Sequence, residues 1–216
     1  MRDYIIVTGM ILKTSPVNDY DRRLVILTKE RGKITVFARG ARRQGNKTMA
    51  ASNPFCFGNF KLLEGRDAYN LMECEITHYF EDLRSDFEGM CLGSYFLEYA
   101  DYYARENNDE TLLLKLLFQS IRAILKDNID NRLVRSIFEI KILCINGEFP
   151  GLPVNRKLLD GTAYAVKFIE STPVEKVYSF ALTKEVLDEL DALAAYYRDK
   201  FTDKRFLSLD LVENLC

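Results

Sequence analysis

The front third of the chain alternates; the remainder repeats with the period of a helix. Residues 33–39 are the clearest case: Ile34, Val36 and Ala38 fall on one side, and Lys33, Thr35, Phe37 and Arg39 on the other, which is the period of a half-buried strand. The β-branched run at 4–13 and the segment 23–29 predict two earlier strands. Ser15-Pro16, Asn18-Asp19 and Arg31-Gly32 supply the turns. Segments 55–63 and 68–77 predict two more strands, joined at Glu64-Gly65-Arg66-Asp67. Five short strands, with one polar and basic excursion at 40–53 after the third, predict a small closed barrel of the OB type, an architecture that often binds oligonucleotides.

The period changes at Ser85. Ser85 with Glu88 has the form of a capping box, and residues 86–105, 110–127 and 130–146 follow as three helices, apolar over most of their circumference. Gly147 is placed to end the third. Residues 148–178, with Pro150, Pro153 and Pro173, read as irregular. Thr183 then caps an amphipathic helix whose apolar face carries Val186, Leu187, Leu190, Leu193, Ala194, Tyr197 and Phe201, and a short helical tail is expected at 207–215. The expected organisation is therefore α+β: an OB-fold barrel over 1–80 and an all-α domain over 81–216 with an irregular segment at about 148–178.

Charge separates the same two parts. Residues 1–66 hold thirteen Lys or Arg against five Asp or Glu, a surplus of eight, while the chain as a whole is −2, so residues 67–216 carry −10. A basic barrel joined to an acidic helical part predicts that one end meets a polyanion. The five cysteines, Cys56, Cys74, Cys91, Cys144 and Cys216, include no C-x-x-C pair, which fits reduced thiols in an intracellular protein rather than a disulfide frame or a zinc site. The start of the chain lacks the pattern of a secretory signal. No apolar run reaches the roughly 18 residues of a membrane span. A cytoplasmic protein is expected.

Little in the chain resembles catalytic machinery. His78 is the single histidine and has no nucleophile signature beside it. Gly40-Ala-Arg-Arg-Gln-Gly45-Asn-Lys47-Thr48 nearly spells a phosphate-binding loop, but Asn46 stands where the motif requires Lys. The positive signal is the third strand with the loop after it. Lys33, Phe37 and Arg39 project from one face, Arg42, Arg43 and Lys47 follow, and Arg22 and Arg23 open the second strand. An aromatic set among cations supplies a ring to stack a base and charges to neutralise phosphates. In the helical part, Arg132 and Arg135 lie one turn apart beside Leu133 and Ile137, a cationic spot next to apolar surface suited to an acidic peptide ending in a carboxylate. The same helix carries a polar stripe of Arg132, Arg135, Ser136 and Glu139, and a second stripe carries Lys115, Arg122 and Lys126, both expected mostly to face water.

Three stretches carry a family likeness. "ILKTSPVNDYDRRLVILTKERGKITVFARGARR" (11–43), "PFCFGNFKLLEG" (54–65) and "FEIKILCINGEFP" (138–150) resemble the bacterial recombination mediator family RecO. The resemblance implies a non-enzymatic protein without a turnover. It implies binding of single- and double-stranded DNA, annealing of complementary strands, and loading of RecA, together with RecR, onto strands covered by single-strand-binding protein (SSB). It further implies recognition of the acidic, Phe-ending C-terminal tail of SSB by the helical domain. Many members carry a zinc module after the Gly-Pro segment. Here Leu152-Pro-Val-Asn-Arg-Lys157 stands there, so no metal or other cofactor is expected. Two alternatives stay open on the residues alone: an RNA- or ribosome-associated OB protein, and an adaptor whose barrel binds no nucleic acid.

Overall fold

The computed structural model of the chain describes residues 4–213. Arg2, Cys216 and positions 214–215 of the expected tail lie outside the described residues. The strands are β1 (Tyr4–Val17), β2 (Asp21–Thr28), β3 (Gly32–Ala38), β4 (Phe57–Glu64) and β5 (Tyr69–His78). They close into a barrel in the order β1-β2-β3-β5-β4, the five-stranded architecture that the alternation predicts. β1 is long enough to serve two neighbours: Gly9–Val17 pairs with β2, and Tyr4–Met10 pairs with β4. Gly9 lies where both ladders meet, and a Cβ there would run into the Leu27 carbonyl oxygen; only glycine permits that approach. Closure between β3 and β5 is parallel and rests on two residue pairs, Val36↔Tyr69 and Phe37↔Asn70.

The barrel interior is filled by the inward set of each strand. Leu24 and Ile26 of β2, Ile34 and Val36 of β3, and Phe60 and Leu62 of β4 are buried together with Val7 and Ile11 of β1. These positions alternate with outward residues, so the pleat alone sorts the sequence into core and surface.

Contacts divide the chain into two compact units. The first holds the residues up to Ser85 together with Leu97–Leu114; the second holds Asp86–Phe96 and the chain from Lys115 on. In the first unit the 97–114 segment completes the β2–β3 turn. The Lys33 amide donates to the Arg105 carbonyl at 2.9 Å, and the Asn107 amide donates to the Arg31 carbonyl at 3.1 Å. Gly32 turns there with φ +64°, where a side chain would collide with the Arg105 carbonyl oxygen.

The helices are α1 (Thr48–Ala51), α2 (Phe87–Tyr103), α3 (Thr111–Ile124), α4 (Asn131–Ile145), α5 (Asp160–Ser171), α6 (Lys184–Phe201) and α7 (Leu207–Glu213). In the second unit α4 is the central element. It is buried from Leu133 through Leu143, it packs against α5 and α6, and its Phe138 ring stacks on Phe96 with centroids 4.1 Å apart.

Five local expectations change. Ser85 does not cap α2: its hydroxyl donates to Asp82 O at 2.8 Å, and Asp86 instead accepts from the Gly89 amide at 3.0 Å. A carboxylate one residue later does the same work for an orphan N–H. The excursion 40–53 contains α1. Thr183 stands at the start of α6 but its side chain makes no capping bond. The segment 148–178 is not irregular throughout, since α5 and a 3₁₀ turn at Val174–Lys176 lie inside it. Finally, the stripe Arg132, Arg135, Ser136, Glu139 meets water only at Arg132. Arg135, Ser136 and Glu139 are buried, because α6 covers that side of α4 and neutralises it with its own charges. Glu139 is fully enclosed and accepts from Tyr95 Oη at 2.7 Å and Arg198 Nη1 at 3.1 Å. Burial raises its pKa, and Arg198 and Arg135 pull it back only in part.

Candidate nucleic-acid interface

Strand pairing assembles a continuous outer face on the barrel. Ser15 of β1 lies opposite Arg23 of β2, Arg23 lies opposite Phe37 of β3, and Phe37 lies opposite Asn70 of β5. One row beside it runs Lys13, Val25, Thr35. Phe37 is half-buried while its strand neighbours Val36 and Ala38 are buried. The ring therefore sits on the outside with a guanidinium directly across the ladder, and Arg23 Nη2 also lies within 3.5 Å of Thr35 Oγ1.

The expected cations divide into two kinds. Arg39, Arg42, Arg43 and Lys47 are exposed. Arg42 Nη1 donates to the Asn18 carbonyl at 3.1 Å, and the Arg43 guanidinium stacks over the Tyr20 ring, 4.9 Å from its centroid. Lys33 and Arg22 are tied down. Lys33 Nζ donates to the Asp101 carbonyl at 2.6 Å and pairs with its carboxylate at 3.1 Å. Arg22 Nη1 donates to Met49 O, Ser52 Oγ and Asn53 Oδ1 at 2.9, 2.8 and 3.0 Å. Burial, and then the charge of Arg42, lower the Arg22 pKa.

The near-motif at Gly40–Thr48 is a closed loop. Gly40, with φ +66°, receives Asn46 Nδ2 on its carbonyl at 2.7 Å, and the Arg43 amide donates to the same oxygen at 3.0 Å. The loop is also bonded to the β1–β2 turn, where the Arg42 amide donates to Tyr20 O at 2.8 Å. Tyr20 and Lys13 thus join the candidate face, and neither was evident from the chain alone. Tyr20 stands between Asp19 and Asp21, and Lys13 follows a register shift between Ile11 and Lys13 that strict alternation does not reveal.

The expected partner site is built differently from the barrel face. Arg132 pairs with Asp188 at 2.8 Å and Asp191 at 3.3 Å, and Arg135 pairs with Asp191 at 2.7 Å. Arg135 is 8% exposed and holds α4 to α6. Arg132 is half-buried and lines a hollow of about 420 Å³ with Ile124, Lys126 and Ile129, beside four carboxylates, Asp86, Glu88, Asp127 and Asp130. Lys115 pairs with Glu175 at 2.8 Å, and Arg122 stacks over Phe118.

No cluster of three or more His, Cys, Asp or Glu able to hold a metal ion occurs among the described residues. The stretch Leu152–Lys157 offers no thiol or imidazole. Cys144, on α4, has its thiol pushed up to about 11 by burial, the reverse of what a metal-binding thiolate needs. His78 is packed among Phe57 and Phe80, and Glu73 pairs with Lys61 at 3.3 Å. No helix among the described residues is long and apolar enough to cross a membrane.

A closed five-stranded barrel with a cationic, aromatic-bearing outer face, followed by helices, defines a protein of the OB class. The family model described as "Recombination protein O N terminal" matches residues 1–80, and that described as "Recombination protein O C terminal" matches residues 84–154. The chain belongs to the RecO family of DNA repair proteins. A protein of Acetivibrio thermocellus named DNA repair protein RecO is 24% identical over 99% of this chain and 98% of its own length. A protein of that name from Clostridium perfringens is 25% identical over 95% and 96%. One from Desulforudis audaxviator is 35% identical over 67% of this chain and 57% of its own length.

Proposed function

We propose that this chain is a non-enzymatic recombination mediator whose barrel, residues 1–80, binds single- and double-stranded DNA and anneals complementary strands. The helical part, 81–216, recognises the C-terminal tail of SSB, and with RecR the protein helps load RecA onto SSB-coated strands. The observation that carries the reading is the row Ser15–Arg23–Phe37–Asn70 beside the loop bearing Arg39, Arg42, Arg43 and Lys47. It places a stackable ring among exposed cations, which is what a single strand requires, since every base has a face to stack and every phosphate a charge to neutralise.

The test is annealing of complementary strands, bare and SSB-coated, beside direct binding of a single strand across a salt series. Arg42→Ala with Arg43→Ala should flatten the plot of log K against log salt by about 1.4, because each phosphate contact on a single strand releases about 0.7 counterion. An unchanged slope rejects these residues as phosphate contacts. If the wild type binds RNA in preference to DNA of equal length, or binds neither at low salt, the DNA assignment fails.

For the SSB tail, Arg132 is the proposed carboxylate contact, with Lys126 on the rim of the same hollow. Arg135, buried against Asp191, is assigned the role of holding α4 and α6 together. A nine-residue tail peptide should bind the full chain and lose affinity when its final Phe is removed. Arg132→Ala should weaken it. Intact peptide binding in that variant moves the site to the Lys115, Arg122, Lys126 stripe.

A further inference from the structure

The basic loop is held at both ends by two consecutive residues of β2. At its entry, the Gly40 amide donates to Asp21 Oδ1 at 2.7 Å. At its exit, Arg22 Nη1 reaches Met49 O, Ser52 Oγ and Asn53 Oδ1, all within 3.0 Å. Between these anchors the loop closes on itself through Asn46 and Gly40. Arg42, Arg43 and Lys47 are left on its exposed side. Neither anchor is suited to touch a phosphate. Asp21 bears the wrong charge, and Arg22 Nη1 is committed to three protein acceptors.

We propose that Asp21 and Arg22 are positioning residues that clamp the loop, so that Arg42, Arg43 and Lys47 meet the polyanion already in place. This rests on the reading of the barrel as a nucleic-acid interface. A flexible loop would have to be ordered on binding, and each long side chain fixed at that moment subtracts from affinity. A clamped loop has met that cost during folding. The carboxylate of Asp21, which as a charge repels phosphate, is then retained because it shapes the loop.

The sign of one substitution separates this from simple electrostatics. If charge alone governs, Asp21→Ala removes a repelling carboxylate and tightens binding of a labelled oligothymidylate to the full chain. The clamp requires the opposite, a loss of about three- to tenfold, with the salt slope unchanged because no phosphate contact has been removed. Amide hydrogen exchange at Gly40 and Arg42 should accelerate in the same variant while β1 and β4 stay protected. Arg22→Ala should likewise weaken binding at constant slope, whereas Arg42→Ala lowers the slope by about 0.7. Asn53→Ala changes no charge and keeps the barrel core, so it serves if Asp21→Ala fails to fold; the clamp predicts weaker binding at unchanged slope. Tighter or unaltered binding in Asp21→Ala or Asn53→Ala, or a reduced slope in Arg22→Ala, overturns the clamp. If Arg42→Ala and Arg43→Ala also leave affinity unchanged, it is the interface reading that fails, and the clamp with it.

Discussion

Phe37 and Lys33 lie on the same outward side of one strand, yet they have different fates. The Phe37 ring faces out beside Arg23, while Lys33 is bound to Asp101, which is 68 positions away along the chain. Alternation alone placed both on the outer face, and that much was legible from residues 33–39. Which cation stays available was not, because a partner so distant leaves no mark in a local pattern. Phe37→Ala should cost about 1–3 kcal/mol of single-strand binding and leave the thermal midpoint nearly unchanged; equilibrium titration and a melting curve check it together. A large loss of midpoint with intact affinity would make Phe37 a packing residue. Lys33→Ala should do the reverse, since its amine is spent on Asp101: binding close to wild type, with a lower midpoint.

At the scale of the element, α4 shows where helical periodicity misleads. Charged positions at Arg132, Arg135 and Glu139 look like a solvated stripe, yet Arg135 and Glu139 are buried and Arg132 half-buried, because α6 brings Asp191 and Arg198 to meet them. A pattern read along one helix cannot register charges delivered by another. Glu139→Ala should therefore be strongly destabilising, by about 3–5 kcal/mol, because Arg198 would lose its one fully buried partner and keep only the more exposed Asp199 and Glu213; urea unfolding followed by circular dichroism measures it. A loss below about 1 kcal/mol would mean the network is solvated or dispensable. The missed helix α5 has a related cause. Pro153 and Pro173 flank it, Gly161 stands in its first turn, and its last turn is completed from outside by Lys141, whose amine donates to the carbonyls of Ile169, Glu170 and Thr172 at 2.8, 2.9 and 2.8 Å. Lys141→Met should cost about 1.5–3 kcal/mol, the range for hydrogen bonds from a charged donor. Early loss of exchange protection confined to α5 would accompany it.

For the whole molecule, the change from strands to helices near residue 81 was legible, and the way contacts divide the chain was not. Leu97–Leu114 belongs with the barrel because its backbone pairs with Arg31 and Lys33 at the β2–β3 turn. A fragment ending at residue 80 should therefore melt well below one that continues through 114. Equal midpoints in scanning calorimetry would show that the added segment is only an appendage. The surplus of positive charge in the first 66 residues was equally plain in the sequence. Its concentration on one loop and one face depended on the pairing register, which composition does not contain.

The row from Ser15 through Arg23 and Phe37 to Asn70 crosses four neighbouring strands, and that fixes a length. Three inter-strand steps of about 4.8 Å make a track of roughly 14 Å. Stacked nucleotides rise about 3.4 Å each, so the track spans about four of them, the lower end of what one OB barrel occupies. In a series of oligothymidylates, affinity should climb steeply up to about four nucleotides and then more gently, as further phosphates reach only the arginine loop. The break in that curve would be a ruler reading of the strand register.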